Sequence, residues 1–115
     1  MQPLSAIQLA QWLTACISAS DNCEGVSRPL LLDVREPWEF ELCHLADSLL
    51  VPMQTVPARI DELDPDADIV VICHHGVRSR QIGGFLERQG FRSIYNLSGG
   101  VDAWANDVDP AMHKY

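Results

Sequence analysis

The sequence of 115 residues fits one compact domain with its own core, and a hydrophobic fraction of 47% is too high for a disordered chain. The formal charge of −8, from 16 acidic and 8 basic residues, argues against nucleic-acid binding, because neutralising phosphates requires an excess of Lys and Arg. No apolar run is long enough to cross a membrane, and the N-terminus has no basic segment followed by a continuous apolar one, so we expect a cytoplasmic protein without a secretory signal.

The first part of the chain predicts a helix, a loop and a buried strand. Residues 5–19 carry apolar side chains at helical spacing, and Ser5 with Gln8 forms the S-x-x-Q pattern of a capping box. Residues 20–28 are rich in turn-forming types and predict a loop. The run "LLLDV", residues 30–34, is apolar without alternation, which is typical of a strand covered on both faces.

The middle of the chain predicts short elements followed by a central strand. Pro37 can begin a short helix that ends near Leu42, and "SLLV" predicts a second strand. Thr55 can cap a further helix with Pro57 in its first turn. The run "IVVIC", residues 69–73, has the strongest β-propensity in the chain, so we expect it at the centre of the sheet.

The last part of the chain predicts a helix from Ser79 to Gln89 with Gly90 as its C-cap, then the strand "SIYNL", then a tight turn into a short helix. Strands therefore alternate with helices, an order typical of a mostly parallel sheet with helices on both faces. In such sheets, ligands bind beyond the carboxyl ends of the strands. Cys73 lies at such an end.

A short basic loop, "HHGVR", separates Cys73 from the following helix. The loop amides and the helix N-terminus would point toward the sulfur, an arrangement that binds anions and favours the thiolate. Arg78 adds positive charge, and His74 and His75 add more when they are protonated. Gly76 allows a backbone turn that a Cβ would obstruct. We interpret this segment as a loop that makes a thiolate and holds an anionic adduct on it.

The cysteines and histidines of the chain, taken together, predict neither a disulfide nor a metal site. A chain of this size without a secretory signal is expected to keep its thiols reduced. Cys16 lies on the apolar stripe of the first helix, where we interpret it as a small buried hydrophobe. The spacing of one candidate metal cluster fits no common zinc pattern; its members are Cys43, His44, Cys73, His74 and His75.

Four segments together resemble a single-domain rhodanese, a thiosulfate sulfurtransferase: "LLDVREPWEF", "HLADSLLVP", "CHHGVR" and "GFLERQGFRSIYNLSGGVDAW". The resemblance covers roughly residues 4 to 105, so we expect one domain over residues 1–115, with a core at about 4–105 and a C-terminal tail at 106–115. It implies a rhodanese-like α/β fold, in which a five-stranded, mostly parallel sheet carries helices on both faces.

The resemblance also assigns residues. By motif position, Cys73 matches the cysteine that forms a persulfide, and the rest of the loop matches through His74, His75, Gly76, Val77 and Arg78. Asp33 and Arg35 match the D-x-R motif of the family, and we interpret them as a supporting ion pair rather than as catalysts.

Two positions depart from the pattern of the family. Cys43 and Asp47 stand where the family often has glycine, which raises a question about the turns at these positions. Cys43 could also be a second redox thiol, although most lone cysteines are inert.

The activity implied by the resemblance is a two-step sulfur transfer. The Cys73 thiolate attacks the sulfane sulfur of thiosulfate or another persulfide donor, and an acceptor then takes the sulfur from it. The acceptor is cyanide in an assay and a thiol or a protein in the cell. We expect no metal and no organic cofactor, and a monomer that binds neither nucleic acid nor membranes. Arg78 is interpreted as the group that orients the anionic donor, with a solvated cation at the helix start as the alternative.

Two other functions remain open. Cysteine phosphatases also place a thiolate in an anion-binding loop, but only four residues separate Cys73 from Arg78, one fewer than in the phosphatase loop. A shorter loop suits a smaller adduct, such as one sulfur atom. The second alternative is a non-catalytic rhodanese-like module that binds a partner or carries a persulfide. Modules that only bind a partner typically lack the cysteine that this chain keeps.

Overall fold

The computed structural model describes residues 1–18 and 28–115, and a five-stranded sheet forms its centre. Every pair of neighbouring strands is parallel. The strands are β1 (Gln2–Leu4), β2 (Leu30–Asp33), β3 (Leu49–Leu50), β4 (Asp68–Ile72) and β5 (Ser93–Leu97). Their order across the sheet is β1-β5-β4-β2-β3, so the β-rich run of β4 occupies the centre, as predicted.

Helices cover both faces of the sheet, as predicted from the alternation of elements. They are α1 (Ala6–Ser18), α2 (Pro37–Leu42), α3 (Val77–Arg88) and α4 (Gly100–Asp107). Side chains of α1 and α4 pack with Val70 and Ile72 on one face, while side chains of α3 pack with Ile69 and Val71 on the other. Successive residues of β4 therefore enter opposite cores, which explains why the run is apolar without alternation.

The N-terminus of α1 has the predicted capping box. The Ser5 backbone N–H donates to Gln8 Oε1 at 2.9 Å, and the Gln8 backbone N–H donates to Ser5 Oγ at 3.1 Å. The predicted helix end at residue 19 and most of the predicted loop at 20–28 lie outside the described residues. In the part of the chain that the structure describes, none of the helices combines the length and apolar character needed to span a bilayer.

Two predicted helix starts are wrong. Thr55 caps no α-helix: it lies inside the 3-10 helix Met53–Thr55, which a second 3-10 helix, Pro57–Glu62, follows. The Thr55 hydroxyl donates to the Pro52 carbonyl at 2.8 Å, so it competes with capping. Helix α3 begins at Val77 instead of Ser79, because Gly76 takes a left-handed conformation and ends the loop there.

Strand β1 and the end of α4 were not predicted. Strand β1 is only three residues long and contains Pro3, which is tolerated because β1 is an edge strand and has a free side. Helix α4 continues to Asp107, beyond the end expected for the core, and the residues after it pack back onto the domain: Val108, Met112 and Tyr115 contact the core cluster on the α4 face.

The two departures from the family pattern leave the fold intact. Asp47 has a φ of 63°, the left-handed conformation in which aspartate is one of the better tolerated side chains. Cys43, the C-cap of α2, has a φ of −166° and is extended, a conformation that any residue adopts. The turn therefore keeps a left-handed conformation at Asp47 without glycine.

Candidate active site

Cys73 follows β4 directly, at the carboxyl end of the central strand, and only 1% of the residue is exposed. The Gly76 backbone N–H donates to the Cys73 Sγ at 3.0 Å, and the thiol donates to the Ser79 hydroxyl oxygen at 3.3 Å. The loop and the start of α3 thus approach the sulfur from two sides. The sequence predicted that several loop amides would donate to the sulfur. Among the described residues, Gly76 is the loop amide that does so.

A closed set of hydrogen bonds fixes this loop. The Ser79 hydroxyl donates to Asn96 Oδ1, and Asn96 Nδ2 donates to the Gly76 carbonyl at 3.3 Å. Ser79 and Asn96 are buried, and they belong to α3 and β5 respectively. Because the ring returns to Gly76, the distance between the Gly76 amide and the sulfur is set by two neighbouring elements as well as by the loop itself.

The N-terminal end of helix α4 donates hydrogen bonds to the backbone of the loop. The Val101 N–H donates to the Cys73 carbonyl at 2.9 Å, and the Asp102 N–H donates to the His74 carbonyl at 3.1 Å. These bonds need a close approach at Gly100, where an added Cβ would lie 2.3 Å from the Cys73 carbonyl oxygen. The first free N–H groups of α4 are therefore used to hold the loop in place.

Arg78 is paired with a carboxylate that the sequence did not single out. Its Nη1 and Nη2 donate to the two Glu39 carboxylate oxygens at 2.7 and 2.8 Å. Glu39 is buried, and its hydrogen bonds with Arg78 lower its pKa to about 2 although burial opposes the shift. Hydrogen bonding with Glu39 likewise raises the pKa of Arg78 above its ordinary value. Arg78 is therefore not the solvated cation of the alternative interpretation.

Tyr115 packs beside the Arg78–Glu39 pair and contacts both Glu39 and His74. Its hydroxyl donates to Glu39 Oε2 at 2.6 Å and accepts from Arg35 Nη1 at 2.9 Å. Its ring stacks on the His74 ring with centroids 4.0 Å apart, and Trp38 meets it edge-on. Burial, followed by the bond to Glu39, raises the pKa of Tyr115 to about 12, so the phenol stays protonated near neutral pH.

Asp33 and Arg35 form the expected ion pair, and both side chains are fully buried. Arg35 Nη2 lies 2.7 Å from Asp33 Oδ2, and Arg35 Nε lies 2.9 Å from Asp33 Oδ1. Arg35 Nη2 also donates to the Cys43 carbonyl at 2.6 Å. Burial alone would lower the pKa of Arg35, but Asp33 raises it above its ordinary value. The pair therefore anchors the segment after β2 rather than facing solvent.

The two histidines of the loop stack on each other, with ring centroids 3.9 Å apart. His75 is exposed, and His74 is partly covered. Burial and then the proximity of His75 lower the pKa of His74, so its imidazole is more readily neutral than a free one. Val77, at the start of α3, is 62% exposed and contributes apolar surface beside the loop.

Four residues of this site were not predicted as site residues: Glu39, Ser79, Asn96 and Tyr115. Asn96 carried a signal, because it is an amide between Tyr95 and Leu97 in a mostly apolar strand. Glu39 carried a weaker one as the fourth residue of an E-x-x-E pattern at a helix start. Tyr115 carried none, since it lies 76 residues from its partner Glu39 in the sequence.

The sequence and the fold of the chain both match those of known proteins. The sequence model of the rhodanese-like domain family matches residues 14–107. A rhodanese-like domain protein from Staphylococcus aureus has a solved structure with a TM-score of 0.79; at 23% identity the match covers 100% of this chain and 99% of that chain. At that identity the likeness concerns the fold.

Curated relatives are more similar in sequence. A sulfurtransferase of Allochromatium vinosum is 41% identical over 95 residues, which are 83% of this chain and 89% of that protein. A thiosulfate sulfurtransferase GlpE of Pseudomonas syringae pv. syringae is 37% identical over 75 residues, which are 65% of this chain and 71% of that protein. The chloroplastic rhodanese-like/PpiC domain-containing protein 12 of Arabidopsis thaliana is 38% identical over 89 residues, and the match spans 74% of this chain but only 30% of that longer protein.

Proposed function

The chain belongs to the rhodanese-like domain family, and from that premise we propose that it is a sulfurtransferase that carries sulfane sulfur as a persulfide on Cys73. The observation that carries the proposal is the position of the Cys73 sulfur at the end of β4, where it accepts a hydrogen bond from the Gly76 amide at 3.0 Å. The printed names of two relatives, sulfurtransferase and thiosulfate sulfurtransferase, support the same reaction class.

The reaction proceeds in two displacements. The Cys73 thiolate attacks the outer sulfur of thiosulfate, the S–S bond breaks, and sulfite leaves with the electron pair. Cyanide or an acceptor thiolate then attacks the terminal sulfur of the persulfide, and the Cys73 thiolate is restored. The Gly76 N–H already points at Cys73 Sγ, so it stabilises negative charge there without further rearrangement.

Ser79 supplies a second donor during the cycle. Its hydroxyl accepts from the Cys73 thiol and donates to Asn96. Once the thiol has lost its proton, a rotation about the C–O bond turns the Ser79 hydroxyl from Asn96 to the sulfur. The rotation exchanges one hydrogen bond for another, now to a charged acceptor, and such bonds are the stronger ones.

A direct test is to weigh the intact chain. Reduced protein is incubated with thiosulfate, freed of small molecules and measured by mass spectrometry. We expect a gain of one sulfur atom that is lost when cyanide is added, together with thiocyanate formation. A cysteine phosphatase would hydrolyse an aryl phosphate and show no gain in mass, and a binding module without sulfur chemistry would do neither. A persulfide that forms but supports no turnover with cyanide or a small thiol would identify a carrier that passes its sulfur to a protein acceptor.

In this proposal Arg78 orients the anionic donor. Because Arg78 forms an ion pair with Glu39, variants of the two residues give separate predictions. Arg78→Ala should lower kcat/KM for thiosulfate by roughly tenfold to a hundredfold, because a lost charge-assisted contact costs about 1.5–3 kcal/mol. Steady-state kinetics at varied thiosulfate would show the loss mainly as a higher KM.

Glu39→Gln is the matched control, because it breaks the same ion pair but keeps the guanidinium. A donor-binding role predicts opposite effects: a lower KM for thiosulfate in Glu39→Gln, where positive charge is released, and a higher KM in Arg78→Ala. If both variants lose stability equally and keep the KM of the natural chain, Arg78 is a strut for the loop and not a donor-binding group. A cytoplasmic location and a monomeric state complete the proposal.

A further inference from the structure

Three potential metal ligands meet at the edge of the loop. His74 and His75 come from the loop and Asp102 comes from α4, and one ligand atom of each lies within 4.8 Å of the other two. The sequence did not suggest this group, because Asp102 lies far along the chain from the two histidines. The cluster considered from the sequence joined the two histidines to Cys43, His44 and Cys73 and did not include Asp102.

The spacing of the three ligand atoms is close to what a single ion requires. The two imidazole rings are stacked, with centroids 3.9 Å apart and an interplanar angle of 28°, so the exposed His75 ring must turn away from the His74 ring before both can bind one ion. Zinc binds histidine nitrogen and carboxylate oxygen at about 2.0–2.2 Å, which places tetrahedral ligand atoms about 3.3 Å apart. Side-chain rotations can bring the ligand atoms from their present separation of up to 4.8 Å to that distance, since His75 is exposed and Asp102 is only partly buried.

The backbone beneath the group is already fixed. The Asp102 N–H donates to the His74 carbonyl at 3.1 Å, and the Tyr115 ring stacks on the His74 ring. Among the described residues, Lys114 pairs with Asp102: its Nζ lies 3.7 Å from Asp102 Oδ1 and also donates to Asn106 Oδ1, and its side chain is half exposed. Displacing Lys114 is therefore a small cost for a divalent ion.

We propose that His74, His75 and Asp102 form a binding site for a divalent transition-metal ion, Zn²⁺ in particular, with water in the fourth position. Two imidazoles and one carboxylate are a ligand set typical of zinc sites with an open position. A bound ion would join the loop that carries Cys73 to α4, so it would stabilise the folded chain by an amount that rises with the logarithm of the zinc concentration once zinc exceeds its Kd. The site does not require the Cys73 thiol.

The test measures zinc binding and uses no sulfur donor, so its outcome is separate from that of the sulfur test. Zn²⁺ is titrated calorimetrically into the Cys73→Ser chain, which removes the thiol of the same loop. We expect one ion per chain and a higher melting temperature with zinc. His75→Ala and Asp102→Asn, each in the same background, should weaken binding by roughly tenfold or more, because each removes one ligand.

His44→Ala is the control, since His44 stacks on Phe40 and bonds the Phe40 carbonyl, outside the three-residue group. Equal zinc affinity in His75→Ala and His44→Ala would overturn the site. Co²⁺ provides a second measurement that does not depend on the serine variant: the natural chain should give a visible spectrum without a sulfur-to-cobalt charge-transfer band. A band that vanishes in Cys73→Ser would show that Cys73 is the ligand and that the proposed ligand set is wrong.

Discussion

Cys73→Ser should abolish sulfur uptake from thiosulfate and lower the rate of transfer to cyanide by at least roughly a thousandfold. A serine hydroxyl ionises far less readily than a thiol and forms no stable bond to sulfane sulfur. It is nearly the same size, however, and can still accept from the Gly76 N–H and bond Ser79, so the loop should keep its shape. Mass spectrometry of the intact variant after thiosulfate treatment measures the first effect, and a thiocyanate assay measures the second.

Cys43→Ser is the matched control for this variant. Cys43 Sγ lies 3.9 Å from Arg35 Nη1 and is only partly buried, so reagents can reach it more easily than they reach Cys73. We expect Cys43→Ser to gain one sulfur atom as the natural chain does. An adduct that persists in Cys73→Ser and disappears in Cys43→Ser would show that Cys43 takes up the sulfur, and it would refute the mechanism above.

Arg35→Met should destabilise the chain more than any surface change. Methionine fills most of the space but removes the guanidinium donors to Asp33, while the backbone N–H of residue 35 can still donate to it. A buried carboxylate without its charged partner costs about 3–5 kcal/mol. The free energy of unfolding of a domain is only about 5–15 kcal/mol, so much of the stability would be lost. Urea denaturation followed by circular dichroism would show a lower midpoint.

Two further variants distinguish the cost of leaving a buried charge unpaired from the cost of removing any arginine. Arg59→Met removes an exposed pair with Glu62 and should leave the midpoint almost unchanged. Asp33→Asn combined with Arg35→Met should recover part of the loss, because no charge then remains buried without a partner. An Arg35→Met midpoint equal to that of Arg59→Met would show that the buried pair contributes little.

Much of the fold could be predicted because its signals are local. The central strand, the capping box at Ser5 and Gln8, and the short helix after Pro37 each follow from a few adjacent residues. Strand β1 could not be predicted, since three residues show no periodicity and acquire a strand conformation only by pairing with β5. The segment around Thr55 was misjudged because cap and proline signals are shared by α-helices and 3-10 helices.

The site divides in the same way. The sequence singled out Cys73 and its loop because a thiol, a glycine and an arginine stand close together in the chain. Glu39 pairs with Arg78, and Tyr115 stacks on His74 of the loop. Both come from segments that are far from the loop in sequence. A carboxylate and a phenol have many ordinary roles, and only the folded chain shows that these two share one partner network.

The pairing of β1 with β5 also has a consequence for synthesis. Gln2–Leu4 pairs with Tyr95–Leu97, so this strand is made before the other four strands of the sheet and has no partner until nearly the whole sheet has been translated. At 5–20 residues per second the wait is roughly 5–20 s, long compared with the microseconds in which a hairpin closes. During that interval the segment is free for chaperones to bind. Once β5 forms, it exposes an open edge until β1 covers it, and an open edge can pair with strands of other nascent chains.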